Sequence, residues 1–266
     1  MTRRSAFILA WIVLVGTSSA VAQTTDPTRP RLYRLDDGST FERGCFPPCM
    51  CPVMEQAPVR GTFRLTPAGS DGLFEYFDVA DVNWKVRLAG GDLPITGSGA
   101  YRIGGELALQ HELSLDLAVD RDLQEHFDSG LVVQFSRFPR IDIRISIHGG
   151  YCFDTVIEVR SKPVTRLQVD RGTLSWDTDV ETATGYDIVR GSLSILRGTG
   201  GAFDVATEEC VGDDWPTSSV SYVVDPNAGD AFWFLVRAAG DTYDSGDVRQ
   251  VGSRDSGINA SPASCP

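Results

Sequence analysis

Histidine occurs three times in this 266-residue chain, and lysine twice, at Lys85 and Lys162. Three imidazoles (His111, His126 and His148) leave little scope for general-base or nucleophilic catalysis, which sets one beside a serine or a thiol. The sequence has no Gly-x-Ser-x-Gly elbow and no Cys-x-x-Cys redox pair. It also has no Asp-x-Asp-x-Asp-Gly loop to hold calcium. An excess of positive charge is missing as well, since the formal net charge is −12. That sign argues against nucleic acid and against anionic lipid, both of which are bound through basic patches. A solvated acidic surface that serves solubility is the simpler reading.

Long apolar runs are absent after the first residues. Arg3 and Arg4 precede an apolar stretch from Phe7 to Gly16, and small residues then lead to Ala20-Val21-Ala22. A basic start, an apolar core and an A-x-A end make a signal peptide over residues 1–22, cut before Gln23. Its apolar stretch is shorter than the ~20 residues of a membrane-spanning helix. The expectation is a secreted, periplasmic or cell-surface protein with no integral membrane segment after signal cleavage. The use of arginine in place of lysine fits a GC-rich, bacterial coding sequence.

Helical periodicity is nearly missing too, and alternation takes its place. In "IDIRISIH" Ile141, Ile143, Ile145 and Ile147 share one face, and Asp142, Arg144, Ser146 and His148 the other. "HELSLDLAVD" sets Leu113, Leu115, Leu117 and Val119 against Glu112, Ser114, Asp116 and Asp120. "VNWKVRL" does the same with Val82, Trp84, Val86 and Leu88. Such runs are half-buried antiparallel strands, and their spacing suggests a sandwich or a barrel. The pattern stops at Lys162-Pro163 and then restarts. The expected fold is therefore all-β, with two tandem β-sandwich-like domains at residues 23–162 and 163–266.

Six cysteines lie after the signal: Cys45, Cys49, Cys51, Cys152, Cys210 and Cys265. An even number in an exported chain reads first as disulfides. In "GCFPPCMCPV" the prolines stiffen a segment that holds three of them. The expectation is one bond inside the cluster, from Cys45 to Cys49 or Cys51, and one from the cluster to Cys152. A metal alternative would take Cys45, Cys49, Cys51 and either His148 or Cys152 as ligands. Cys210 and Cys265 are the two cysteines left, and a bond between them would tie down a tail of Ser, Gly, Asn and Pro. No catalytic residue, cofactor or metal is expected. Asp-Ser-Gly recurs at Asp128, Asp244 and Asp255, but these are ordinary turn residues and lack the matched lobes of an aspartic protease.

The restart after Pro163 has a further character. "LSW" (Leu174-Ser175-Trp176), "GYDIVRG" with Tyr186, Ile188 and Arg190, and "FLVRAAG" follow one another in order. Over residues 164–254 they resemble a fibronectin type III domain, which implies a β-sandwich with Trp176 in its core. Residues 204–226 depart from that pattern by being long and irregular. "GCFPPC-C", "GSGAYRIGG", "FDSG" and the closing "SPASCP" resemble exported bacterial two-domain β-proteins with no known activity. Fibronectin-like modules act as spacers or contact surfaces. The resemblance therefore implies a non-catalytic interaction or structural role in the bacterial envelope or extracellular space, toward an extracellular protein or a glycan. A glycan-binding or glycan-processing role for residues 23–162 is the alternative, with Tyr76, Trp84, Tyr101 and Tyr151 as stacking faces.

Overall fold

The structure is a computed structural model that describes residues 29–49, 51, 54–120, 123–177 and 183–266. The signal peptide expected at residues 1–22 lies outside the described residues. Among the described residues the fold is all-β, as the alternation requires, with three short helices late in the sequence.

The first ten strands are β1 (Arg31–Leu35), β2 (Thr40–Phe46), β3 (Met54–Ser70), β4 (Phe74–Leu88) and β5 (Gly91–Gly104), then β6 (Gln110–Val119), β7 (Glu125–Asp128), β8 (Val132–Val133), β9 (Ile141–Ser146) and β10 (Cys152–Pro163). All their pairings are antiparallel. β1 and β2 lie end to end in one slot, each paired with β3 on one side and β10 on the other. From there the chain runs β3 to β4 to β5 to β6, then through β7 to β9. β9 pairs with β10 across Ser161↔Ile141 to Val156↔Ser146, which closes the circuit. Closure removes the edges that an open sheet would expose. Of the two ways to cover a β face that alternation allows, the front part takes the barrel.

The barrel interior is filled. Tyr33, Phe41, Phe63, Trp84, Tyr101 and Phe127 are almost wholly buried, together with the leucines of β6 and the isoleucines of β9. Tyr33 stacks on Phe63 with centroids 5.2 Å apart, and Phe63 meets Trp84 edge-on. Gly61 stands opposite Trp84 at φ +148°, where a Cβ would come within 2.6 Å of the Trp84 Cα. A larger residue there would push β3 off the indole. The alternation breaks at the end of β9, where Ser146 is buried instead of facing outward. That residue pairs with Asp128 at the seam between β7 and β9.

The rest of the chain forms two three-stranded sheets. β11 (Leu167–Asp170), β12 (Thr173–Trp176) and β15 (Ser219–Ser221) make one, in the order β11-β12-β15. β13 (Tyr186–Ser192), β14 (Thr207–Trp215) and β16 (Phe232–Ala238) make the other, in the order β14-β13-β16. Between them lie Leu174, Trp176, Tyr186 and Ile188, with the Trp176 and Tyr186 rings 5.4 Å apart. The segment read as irregular, residues 204–226, holds two of these strands. Register shifts at Ile188 and Arg190 bend β14 against β13, and acidic residues hide its alternation.

The outer face of the β14-β13-β16 sheet is covered as well. α1 (Leu193–Gly198), α2 (Phe203–Ala206) and α3 (Arg254–Ala260) gather there with the C-terminal tail. Val189, Ile258, Tyr243 and Cys265 form a second small core, joined by Phe203 and Trp233. The tail is thus partly helical: Ser253 caps α3 by accepting from Ser256 N, and Ile258 is its buried anchor.

Candidate functional site

All six cysteines are paired, as Cys45–Cys51, Cys49–Cys152 and Cys210–Cys265. Cys45–Cys51 links the end of β2 to the segment just after it, and Cys49–Cys152 joins that segment to the start of β10, the ladder neighbour of β2 through Phe46↔Cys152. The thiolates that the metal alternative required are spent in these bonds. His148, its proposed partner, points to solvent and stands 3.7 Å from Asp154. Asp154 is buried and accepts from the backbone N–H groups of His148 and Gly150, shaping the turn beside the knot. The third bond holds the tail on the outer face of β14-β13-β16.

The three Asp-Ser-Gly copies use their carboxylates to fix backbone, the first its own and the other two that of neighbouring segments. Asp128 accepts from Gly130 N, and Ser129 Oγ accepts from Leu113 N at 3.0 Å. Asp244 gathers Arg254 N at 2.6 Å and Ser253 Oγ at 2.8 Å. Asp255 takes Arg237 Nη1 at 2.8 Å and Tyr243 N at 3.1 Å. The middle copy also docks the C-terminal part onto the barrel wall. Arg34 donates to the Asp244 carbonyl at 2.9 Å and to the Asp241 carboxylate, which also takes Lys162 Nζ. Gly246, at φ +73°, lies so close to Arg34 that a Cβ would come within 2.7 Å of the Arg34 Cβ.

The register of the β6–β7 hairpin brings together residues that are distant in the sequence reading. His126 Nδ1 lies 2.8 Å from Asp116 Oδ1, and its Nε2 lies 3.4 Å from Ser114 Oγ. The order of groups is that of a hydrolase triad, but the electrostatics differ. The hydrogen bond that His126 donates to Asp116, with Asp128 Oδ2 3.7 Å from Nε2, holds the ring above the ordinary histidine range. The ring lies 60% exposed on the barrel wall, outside any enclosed pocket. The cluster acts as a cross-strand clamp between β6 and β7. It was foreseeable, because Ser114 and Asp116 occupy the outward phase of β6. His111 is different: it is buried beside Tyr101, 3.2 Å from its hydroxyl. Burial pushes its imidazole below the usual range and the Tyr101 phenol well above its own.

The proposed stacking rings do not assemble. Trp84 and Tyr101 are core residues, 1% exposed each. Tyr76, paired with Gly69 near the end of β3, and Tyr151, next to the knot, lie at opposite ends of the barrel.

One end of the barrel carries an unexpected surface. The β3–β4 turn presents Leu73, the β5–β6 turn Leu107 and Leu109, and the stretch from β8 to β9 Val132, Val133 and Phe135. Leu107 is 99% exposed and Phe135 95%. These connections touch: Gly105 N donates to Leu73 O at 3.1 Å, and Gln134 N to Leu109 O at 2.9 Å. Apolar residues in "GGELALQ" and "GLVVQF", where turns normally carry polar ones, were the available signal. Beside this rim a cavity of about 400 Å³ opens between β1, β3 and β4, lined by Tyr33, Leu65, Pro67, Tyr76, Phe77 and Phe138. Among the described residues no helix is long and apolar enough to cross a membrane. No family model, curated protein or solved structure matches the chain.

Proposed function

We propose that the chain is an exported, non-catalytic interaction module of the bacterial envelope or extracellular space, and that it engages an extracellular protein through the apolar end of its barrel. The observation that carries this is the gathering of Leu73, Leu107, Leu109, Val132, Val133 and Phe135 on three touching connections. Exposed apolar patches of that kind mark contact surfaces. The occupant follows from charge and chemistry. A net charge of −12 disfavours an anionic membrane. Five of the six side chains are aliphatic and Phe135 is the one ring among them, so the patch offers a sugar a single stacking face and no fan of hydrogen bonds. Three disulfides and the signal-like start support export. The C-terminal part serves in this reading as a fibronectin type III-like spacer, supported by its two three-stranded sheets around Trp176. Its docking through Arg34 and Lys162 sets the direction in which the barrel end points.

The test is the size of the native complex. In extracts of the exporting cell, the wild-type chain is expected to elute in a larger assembly. A Leu107→Glu, Phe135→Glu double variant, which changes two exposed side chains and no core contact, is expected to elute as a monomer. Identical elution of the two would remove the barrel end from the interaction.

A further inference from the structure

The barrel interior is not filled evenly to its end. Residues paired across strands share a face, so the ladder reads out its layers. One layer is Pro67, Phe77, Tyr101 and Leu113, and the next toward the open end is Ser70, Glu75, Ile103 and His111. On the β5–β6 side Phe138 closes the top by stacking on Tyr101, with ring centroids 6.3 Å apart. On the β1–β3–β4 side the inward residues shrink to Pro67 and Ser70, and the space they leave is the cavity of about 400 Å³.

We infer that this recess is a binding site for a small uncharged apolar or amphipathic molecule. Tyr33, Leu65, Phe77 and Phe138 supply an apolar floor and walls, and the volume falls within the ~300–1,000 Å³ of small-molecule sites. Tyr76, between the inward Glu75 and Phe77, has the opposite phase and borders the recess only at its edge, its hydroxyl donating to Asp71 at 2.8 Å. At the rim Arg31 and Glu75 carry opposite charges and select for neither sign. The apolar part of the ligand lies on Phe77 and Phe138, and its polar end faces the rim. This goes beyond the proposed protein contact and does not require it.

The probe is N-phenyl-1-naphthylamine, an uncharged dye whose emission rises in apolar surroundings, titrated into the full chain. Saturable binding of one dye per chain is expected, displaced by 1-decanol and untouched by glucose. Ser70→Trp, which places an indole in the recess, should weaken the dye by at least about tenfold. The Leu107→Glu, Phe135→Glu variant should bind it as the wild type does. Non-saturable binding, an unaffected Ser70→Trp variant, or loss in the Leu107→Glu, Phe135→Glu variant would each overturn the site. Should Ser70→Trp fail to fold, ring-proton shifts of Phe77 and Phe138 on adding 1-decanol to the wild type decide the matter, and their absence refutes it.

Discussion

Lys162 Nζ donates to Asp241 Oδ1 at 2.8 Å, joining the last strand of the barrel to the loop that follows β16. Arg34 meets the same carboxylate from β1. Burial alone would raise this carboxyl, but Arg34 and Lys162 outweigh it and hold the group below the ordinary carboxylate range. A depressed folded pKa gives stability that is present above the unfolded value of about 3.9 and is lost as pH falls through the folded one. Asp241→Asn should therefore cost about 1.5–3 kcal/mol at pH 7. The gap to wild type should begin to narrow below about pH 4, the unfolded value, and close only as the pH falls through the depressed folded pKa. Denaturant melts of both chains from pH 7 to 3 measure this, and a constant gap would contradict it. Asp36 beside it is raised by burial, and it is unchanged in both chains.

Cys265→Ser opens the bond that fixes the tail. The loop spans 55 residues, and the chain-entropy estimate for it is about 4 kcal/mol. A lowered melting temperature and alkylation of Cys210 are expected. An unreactive Cys210 in that variant would show that its partner lies elsewhere.

Trp176 is 2% exposed between the two three-stranded sheets. Its replacement by alanine should destabilise the protein by about 3–5 kcal/mol, the usual loss for a large core aromatic. A loss below about 1 kcal/mol would mean that the cavity collapses or that the sheets do not pack through this ring.

The His126 clamp has the opposite pH sign to Asp241. Its folded pKa is raised, chiefly by the hydrogen bond with Asp116. Its stabilisation is complete below the unfolded value of about 6.5 and fades as pH rises through the folded one. The groups are exposed, so the effect is small, on the order of 0.2–1 kcal/mol. A ring-proton NMR titration should place His126 above the unfolded value of about 6.5, and Asp116→Asn should bring it down. A His126 that titrates at or below the unfolded value would end the clamp interpretation.

Alternation made the wall strands legible. Ile141, Ile143 and Ile145 are buried while Asp142 and Arg144 are exposed, and Leu113 to Val119 follow the same rule. A signal-like start and an even cysteine count pointed to the disulfides, and Cys210–Cys265 is the tail bond that elimination left. What alternation cannot carry is long-range register. The pairing of Ile141 with Ser161, which closes the barrel, depends on the tilt of every strand between them. The choice of Cys51 over Cys49 for Cys45 depends on Cys49 reaching Cys152 across the β2–β10 ladder. α3 was hidden because a Ser-Asp-Ser-Gly composition reads as loop until Ile258 finds a core to enter. Leu107 and Phe135 were visible as residues, but only the contact between their turns makes them one surface.

The central claim is that the apolar barrel end is the contact surface. A photoreactive residue placed at Leu107, in the exporting cell, tests it most directly against the same residue at Tyr151, which is exposed at the opposite end. A discrete protein adduct from position 107 is expected, lost when Phe135 is changed to Glu, with none from position 151. Adducts from position 151 alone, or a 107 adduct that survives Phe135→Glu, would contradict the account.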